Sequence, residues 1–233
     1  MNRKFITQPR MSVTKLGEYL SGAKPGRRKT IIKDQRERNP FKGPRYRDAE
    51  QTIKDFLTMP NPDLSRLRQA LALFSQKEQI AKAQKKKWHT VTANVCASAV
   101  SHFMEISDDI QLDGVGIVAG SNNVPKLHIA GVDISVRPDI ILTDPDNGNI
   151  VGGIKLYLNK TYPLTDDAFD YVGTVLYRYL CEKMSTESTV DHKKCFVVDV
   201  FAHRIIQAPK AFKRNMGHVE AACSEIASVW HAA

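Results

Sequence analysis

Apolar residues recur at helical spacing in several stretches of the chain. Ser12 to Leu20 predicts a short helix, with Ser12 as its cap and Val13, Leu16 and Leu20 on one side. Asp48 to Leu57 predicts another, with Ala49, Ile53, Phe56 and Leu57 apolar. After the breaker Met59-Pro60-Asn61-Pro62, Asp63 caps a longer helix from Leu64 to about Lys87. His89 to Ile106 follows, with a stripe broad enough to predict a largely buried helix. Further on, Thr165 caps a helix faced by Ala168, Val172, Val175, Leu176, Tyr179 and Leu180. Met216 to Trp230 predicts the last helix.

Between these, the pattern turns to β-branched runs. Val115–Val118 and Lys126–Ile129 are short strands, the second closed by a bend at Ala130-Gly131. Val132 to Leu142 reads as one continuous strand. Asp144-Pro145-Asp146-Asn147-Gly148 is a turn, and Ile150 to Leu158 is the next strand. Gly152-Gly153 inside that strand predicts a bulge or a close backbone approach. Cys195 to Ala202 is a strand carrying one charge, Asp199, read as an exposed strand residue or a charge near a site. The order from residue 89 onward predicts an α/β fold, a central mixed β-sheet flanked by helices. The chain divides into a basic arm (1–48), a helical extension (49–88) and an α/β core (89–233).

Composition and charge sharpen this picture. Of 233 residues, 42% are hydrophobic, enough for a packed core. No apolar run reaches the ~20 residues of a membrane span, and MNRKFITQPR lacks the apolar region of a secretory signal. Cys96, Cys181, Cys195 and Cys223 are far apart, without metal-ligand spacing, and read as buried thiols of a cytoplasmic protein. The net charge of +9 is concentrated at one end. Residues 1–48 hold 14 Lys/Arg against 4 Asp/Glu, a balance of +10, and the remainder holds 20 against 21, a balance of −1. Residues 26–47, basic and interrupted by prolines, predict an extended arm.

Such an arm suits a polyanion, with DNA expected ahead of RNA. The expected phosphate contacts are Arg27, Arg28, Lys29, Arg36, Arg38, Lys42, Arg45, Arg47, Lys85, Lys86 and Lys87. A charge run is equally a solvated tail, and the three lysines equally suit the negative end of a helix.

Candidate chemistry centres on Leu127 to Lys160. If the strands on either side of the turn pair, Asp139 and Lys155 approach each other on one sheet. A carboxylate and an ammonium held there serve metal-assisted phosphodiester hydrolysis, or form an ordinary ion pair. Asp133 lies six residues before Asp139 on the expected strand, a separation of ~20 Å that disfavours a shared metal. His102, on an apolar helix face, reads as a hydrogen-bonded core histidine rather than a ligand. Tyr171 and Tyr177 read as packing residues.

The αβββαβ order, with Gly131…Pro138-Asp139-Ile140-Ile141-Leu142, then Ile154-Lys155, then a helix bearing Tyr171 and Tyr177, resembles the PD-(D/E)XK nuclease superfamily, its RecB-like branch most of all. The resemblance covers about residues 89–202. It implies a restriction-endonuclease-like core, Asp139 as a Mg²⁺ ligand and Lys155 as the lysine that orients or activates water. The family's (D/E) position falls on Gly153, which offers no carboxylate. Glu105, Asp133, Asp167 or Asp170 would then supply the second ligand, with Glu105 preferred because acids on the first helix join the site in this family.

Three expectations follow. The first is a nuclease-fold protein without catalysis or cofactor, binding DNA or a protein partner. The second is a Mg²⁺-dependent DNA nuclease with a relocated acid. The third is an assembly subunit, as a homo-oligomer or with another protein, that uses its basic arm.

Overall fold

The structure is a computed structural model that describes residues 4–38, 45–185 and 189–232. In chain order, the first strands are β1 (Lys4–Phe5) and β2 (Arg10–Ser12), followed by helices α1 (Val13–Leu20) and α2 (Pro25–Arg36) and strand β3 (Glu37–Arg38). Helices α3 (Arg47–Leu57), α4 (Leu64–Ala83) and α5 (Lys87–Met104) come next. Strands β4 (Gly116–Ala119), β5 (Leu127–Ile129), β6 (Val132–Ser135), β7 (Ile140–Thr143) and β8 (Ile150–Tyr157) lead to helix α6 (Asp166–Tyr179). The chain closes with β9 (Cys195–Asp199), β10 (Arg204–Gln207) and α7 (Phe212–Val229).

The main sheet has five strands in the order β10-β9-β8-β7-β4. Strand β7 runs antiparallel to β4 and β8, while β8 runs parallel to β9 through the α6 crossover. Alternation along the strands feeds two cores. Ile140, Leu142, Ile154, Leu156, Phe196 and Val198 pack toward α3, α4 and α5. Ile141, Tyr157, Cys195 and Val197 pack in the core shared with α1, α2, α6 and α7. No helix among the described residues is long and apolar enough to cross a membrane.

Two expectations about the chain's course are corrected. The run from Val132 to Leu142 is not one strand. It breaks at Arg137, which adopts φ +47°, and at Pro138, which has no N–H to offer a ladder. Strand β6 therefore belongs to a separate three-stranded sheet with β2 and β5, and β7 belongs to the main sheet. The turn at Ala130-Gly131, with φ of +43° and +83°, is the primed type that matches strand twist in a tight hairpin.

Residues 25–36 are likewise not an extended arm. They form α2, with a proline in its first turn, and bury Ile31 and Ile32 in the core. Strand β2 pairs with β6 in parallel, and α1 packs on α6. Much of the segment read as an appendage is thus built into the body.

Smaller differences have equally local causes. The long helix ends at Ala83 rather than Lys87, because Lys85 turns into the left-handed region at φ +54° and Lys87 starts α5. The strand expected to reach Ala202 stops at Asp199 and turns into the β9–β10 hairpin. Asp199 is fully buried and not an exposed strand residue. Its carboxylate accepts from the N–H groups of Leu164 and Ala202, at 3.0 and 3.1 Å. Cys96, Cys195 and Cys223 are buried as expected, whereas Cys181 is exposed. At the chain's end, buried Trp230 donates its Nε1–H to the Ile6 carbonyl at 3.0 Å, and Arg36 donates to the Trp230 carbonyl at 2.9 Å.

Candidate functional site

Asp139 sits one residue before β7, where the chain leaves the Arg137-Pro138 bend. Its backbone is fixed on both sides. Its N–H donates to the Ile154 carbonyl, and its carbonyl accepts from Gly120 N–H, each at 2.8 Å. Gly120 is required for this approach, since a Cβ there would stand 1.8 Å from the Pro138 carbonyl oxygen. The carboxylate is 2% exposed. Its Oδ2 accepts from the Leu156 N–H at 2.8 Å and from Lys155 Nζ at 2.9 Å. The expected meeting of Asp139 and Lys155 across two paired strands is therefore present.

Lys155 projects from the face of β8 opposite Ile154 and Leu156. Its ammonium also donates to the Arg137 carbonyl at 3.0 Å. An ammonium has three donors, so these two bonds leave one for a water or a phosphate oxygen. The left-handed turn at Arg137 is what aims that carbonyl at the ammonium, and the Arg137 side chain is exposed beside it.

The acid beside Asp139 is Glu50, in the first turns of α3. Its carboxyl hydrogen-bonds Asp139 and is held above the usual carboxylate range. Burial is the main cause, and the negative charge of Asp139 adds to it, while Lys155 and Lys54 pull the other way. Lys54, one helical turn after Glu50, is buried and donates to the Gly120 carbonyl at 3.3 Å. Helix α3 thus presents Glu50 and Lys54 together, as i,i+4 neighbours at the edge of its apolar stripe.

Gly153 faces the same side of β8 as Lys155. A Cβ there would lie 2.9 Å from the Ile140 carbonyl oxygen and 3.2 Å from Leu180 Cδ1. The expected close backbone approach is real, and it leaves little room for a carboxylate at that position.

The other acids proposed from sequence stand elsewhere. Glu105 caps the C-terminus of α5, where its exposed carboxylate pairs with His203 at 3.7 Å and belongs to a cluster with His102. Among the described residues that cluster does not include Asp139. Asp133, on β6, pairs with Lys126 and His128 at 3.1 and 3.2 Å. Asp167 and Asp170 lie on α6, and Asp170 is pushed up by burial and by Asp167. Tyr171 bonds His218 at 2.9 Å, and Tyr177 packs edge-on to Phe212, as expected of packing residues. His102 is hydrogen-bonded, as expected, and only half-buried.

The basic residues separate into two groups. Arg27 pairs with Glu18 and lies over the Tyr162 ring at 4.2 Å. Arg28 lies over Tyr19 and reaches Glu225 at 3.8 Å. Arg36 bonds the C-terminal backbone. These arginines are committed to the fold. Lys29, Arg45, Arg47, Lys85, Lys86 and Lys87 are exposed, and Arg45 lies over the exposed Trp88 ring at 5.3 Å. Lys42 lies outside the described residues, and Arg38 is described only by its backbone, in β3.

Sequence reading missed Glu50, Lys54, Gly120 and Arg137. One signal was present: Glu50 and Lys54 flank the apolar positions of α3 at one-turn spacing, a pattern that brings both toward whatever the helix packs on. No family model matches the chain, and no curated protein matches it.

Proposed function

We propose that the chain is a magnesium-dependent DNA nuclease in which Glu50 takes the place of the acid missing at Gly153. One observation carries this reading: a second carboxyl, from a different element, meets Asp139 beside Lys155. The donor set suits the ion. Mg²⁺ prefers hard oxygen ligands, keeps several of its waters, and is commonly held by one or two carboxylates. Glu50 and Asp139 would hold it, and it would polarise the phosphodiester and supply a more acidic water.

The chain's own residues have distinct tasks. The Asp139 carboxylate is fixed by Leu156 N–H and Lys155, so it is positioned before any ligand arrives. Lys155 Nζ uses its remaining donor to hold the attacking water or a phosphate oxygen. The attacking water forms a new P–O bond and gives up a proton to solvent, the ester P–O bond breaks, and the departing alkoxide takes a proton from solvent. Lys54 and exposed Arg137 add positive charge where the phosphate sits. Arg45, Arg47 and Lys85 to Lys87 offer further phosphate contacts, with Trp88 as a stacking surface.

A second reading, a DNA-binding module without catalysis, has its own support. Gly153 is closed to a side chain, and two lysines accompany the two acids. Cleavage of supercoiled and linear DNA by the purified protein, with Mg²⁺ and with EDTA, tests both. The nuclease reading expects Mg²⁺-dependent cleavage that falls at least ~100-fold in Glu50→Gln, Asp139→Asn and Lys155→Ala. DNA binding with no cleavage in any form establishes the second reading instead. Cleavage that all three variants retain refutes the assignment of this site.

A further inference from the structure

His102, Glu105 and His203 come from two elements that are distant in sequence. His102 and Glu105 stand three residues apart at the end of α5, a spacing that puts both on one helix face. His203 occupies the turn between β9 and β10 in the left-handed conformation, φ +52°. That conformation is unfavourable for a side chain with a Cβ, yet it brings His203 Nε2 to 2.5 Å from His102 Nδ1. Glu105 Oε2 is 3.7 Å from the same His203 nitrogen. The three ligand atoms all lie within 4.8 Å of one another, and no other such group occurs among the described residues.

We propose that His102 Nδ1, His203 Nε2 and Glu105 form a zinc-binding site that joins the end of α5 to the β9–β10 turn. Tetrahedral zinc with Zn–N bonds of ~2.0–2.1 Å sets its ligand atoms ~3.3 Å apart. The observed separations bracket that value, so small side-chain rotations suffice. Two imidazoles and one carboxylate are a donor set that zinc accepts with a fourth position left for water. The same set is a poor match for Mg²⁺, which prefers oxygen donors.

The surroundings favour a fixed geometry. The His102 ring packs on Phe201 at 5.3 Å between centroids, and Phe201 packs on Tyr46 at 5.5 Å. His203 also lines a cleft of about 710 Å³, shared with His192, Lys193, Phe196 and Lys210, which gives an ion a route from solvent. The site is independent of the Glu50–Asp139 pair, because neither acid belongs to this cluster.

The test is zinc titration of the full chain, stripped with EDTA, in competition with a chromophoric chelator. The expected result is one tightly bound zinc per chain and a rise in melting temperature on zinc addition. Cobalt substitution should give the strong visible absorption of a tetrahedral site. His203→Asn, chosen because asparagine tolerates the left-handed region, and Glu105→Gln, an exposed change, should each weaken zinc binding more than about tenfold. Asp139→Asn should leave zinc affinity unchanged. Absence of stoichiometric zinc binding overturns the proposal. So does binding that His203→Asn and Glu105→Gln both retain, or binding that is lost only in Asp139→Asn.

Discussion

Gly152 and Gly153 offer a quantitative test of how tightly the sheet is built around the candidate site. In Gly153→Ala the new methyl meets the Ile140 carbonyl oxygen at 2.9 Å and Leu180 Cδ1 at 3.2 Å. Leu180 can shift, but the carbonyl belongs to a paired strand. Overpacking of this kind costs about 1–3 kcal/mol. Removing a glycine from the unfolded chain returns about 0.4–1 kcal/mol. Because the clash is with backbone, the upper part of the first range, about 2–3 kcal/mol, applies; the net loss is about 1–2.6 kcal/mol, and at about 2–4 °C per kcal/mol for a chain of this size the melting temperature falls by about 2–10 °C. Gly152→Ala should be far worse, because its methyl would stand 2.1 Å from the Lys194 carbonyl oxygen and 2.6 Å from its carbon. Backbone meets backbone there, no rotamer change relieves it, and a loss above about 4 kcal/mol follows. Gly153→Glu should cost more than Gly153→Ala, since the longer side chain must displace fully buried Leu180. Thermal and urea denaturation of the three variants checks the ranking. A Gly153→Ala protein as stable as the parent, or a Gly152→Ala protein no worse than Gly153→Ala, would refute the reasoning.

Other expectations rest on different parts of the molecule. Glu50 has a folded pKa raised by burial and by Asp139, so the stability it contributes is present below its unfolded pKa and lost as pH rises through the folded one. Glu50→Gln should therefore gain melting temperature relative to the parent at pH 8 in EDTA, and gain less at pH 4; an equal difference at both pH values contradicts this. Asp199→Ala strands two backbone N–H groups in a buried corner, and a loss of about 2–5 kcal/mol is expected by denaturant titration. For DNA binding, alanine at Arg45, Arg47, Lys86 and Lys87 should lower affinity and flatten its salt dependence. In contrast, Arg27→Ala, whose guanidinium is engaged by Glu18 and Tyr162, should act mainly on stability; filter binding across a salt series separates the two effects.

Local pattern was enough to read most elements, including the Ser12, Asp63 and Thr165 caps and the turn before Ile150. It failed where a single residue's dihedral decides the path. Nothing in a β-branched run announces that Arg137 turns left-handed, so β6 and β7 merged into one strand and Asp133 seemed to share it with Asp139. It also failed where tertiary burial overrides charge. Residues 25–36 look too polar for a core, yet Ile31 and Ile32 alone anchor the helix while its arginines find partners on the body. At the site, Asp139 and Lys155 were legible because their strands are adjacent in sequence. Glu50 was not, because only helix packing brings α3 against β4 and the bend before β7, and a glutamate on an amphipathic helix looks like any solvated acid.

The tie between Trp230, just after α7, and the segment from Ile6 to Arg36 bears on the order in which the fold assembles. Trp230 reaches the Ile6 carbonyl, and Arg36 reaches the backbone of Trp230 and His231. Contacts spanning so much sequence form late, since the closure entropy of the intervening loop must be met first. Until α7 docks, β2, α1 and α2 have only part of their partners, and the apolar surface around Ile31, Ile32 and Tyr19 stays open to water. A folding chain in which α7 is still undocked therefore exposes a sticky, positively charged segment. Docking of α7 is what converts that segment into a finished surface.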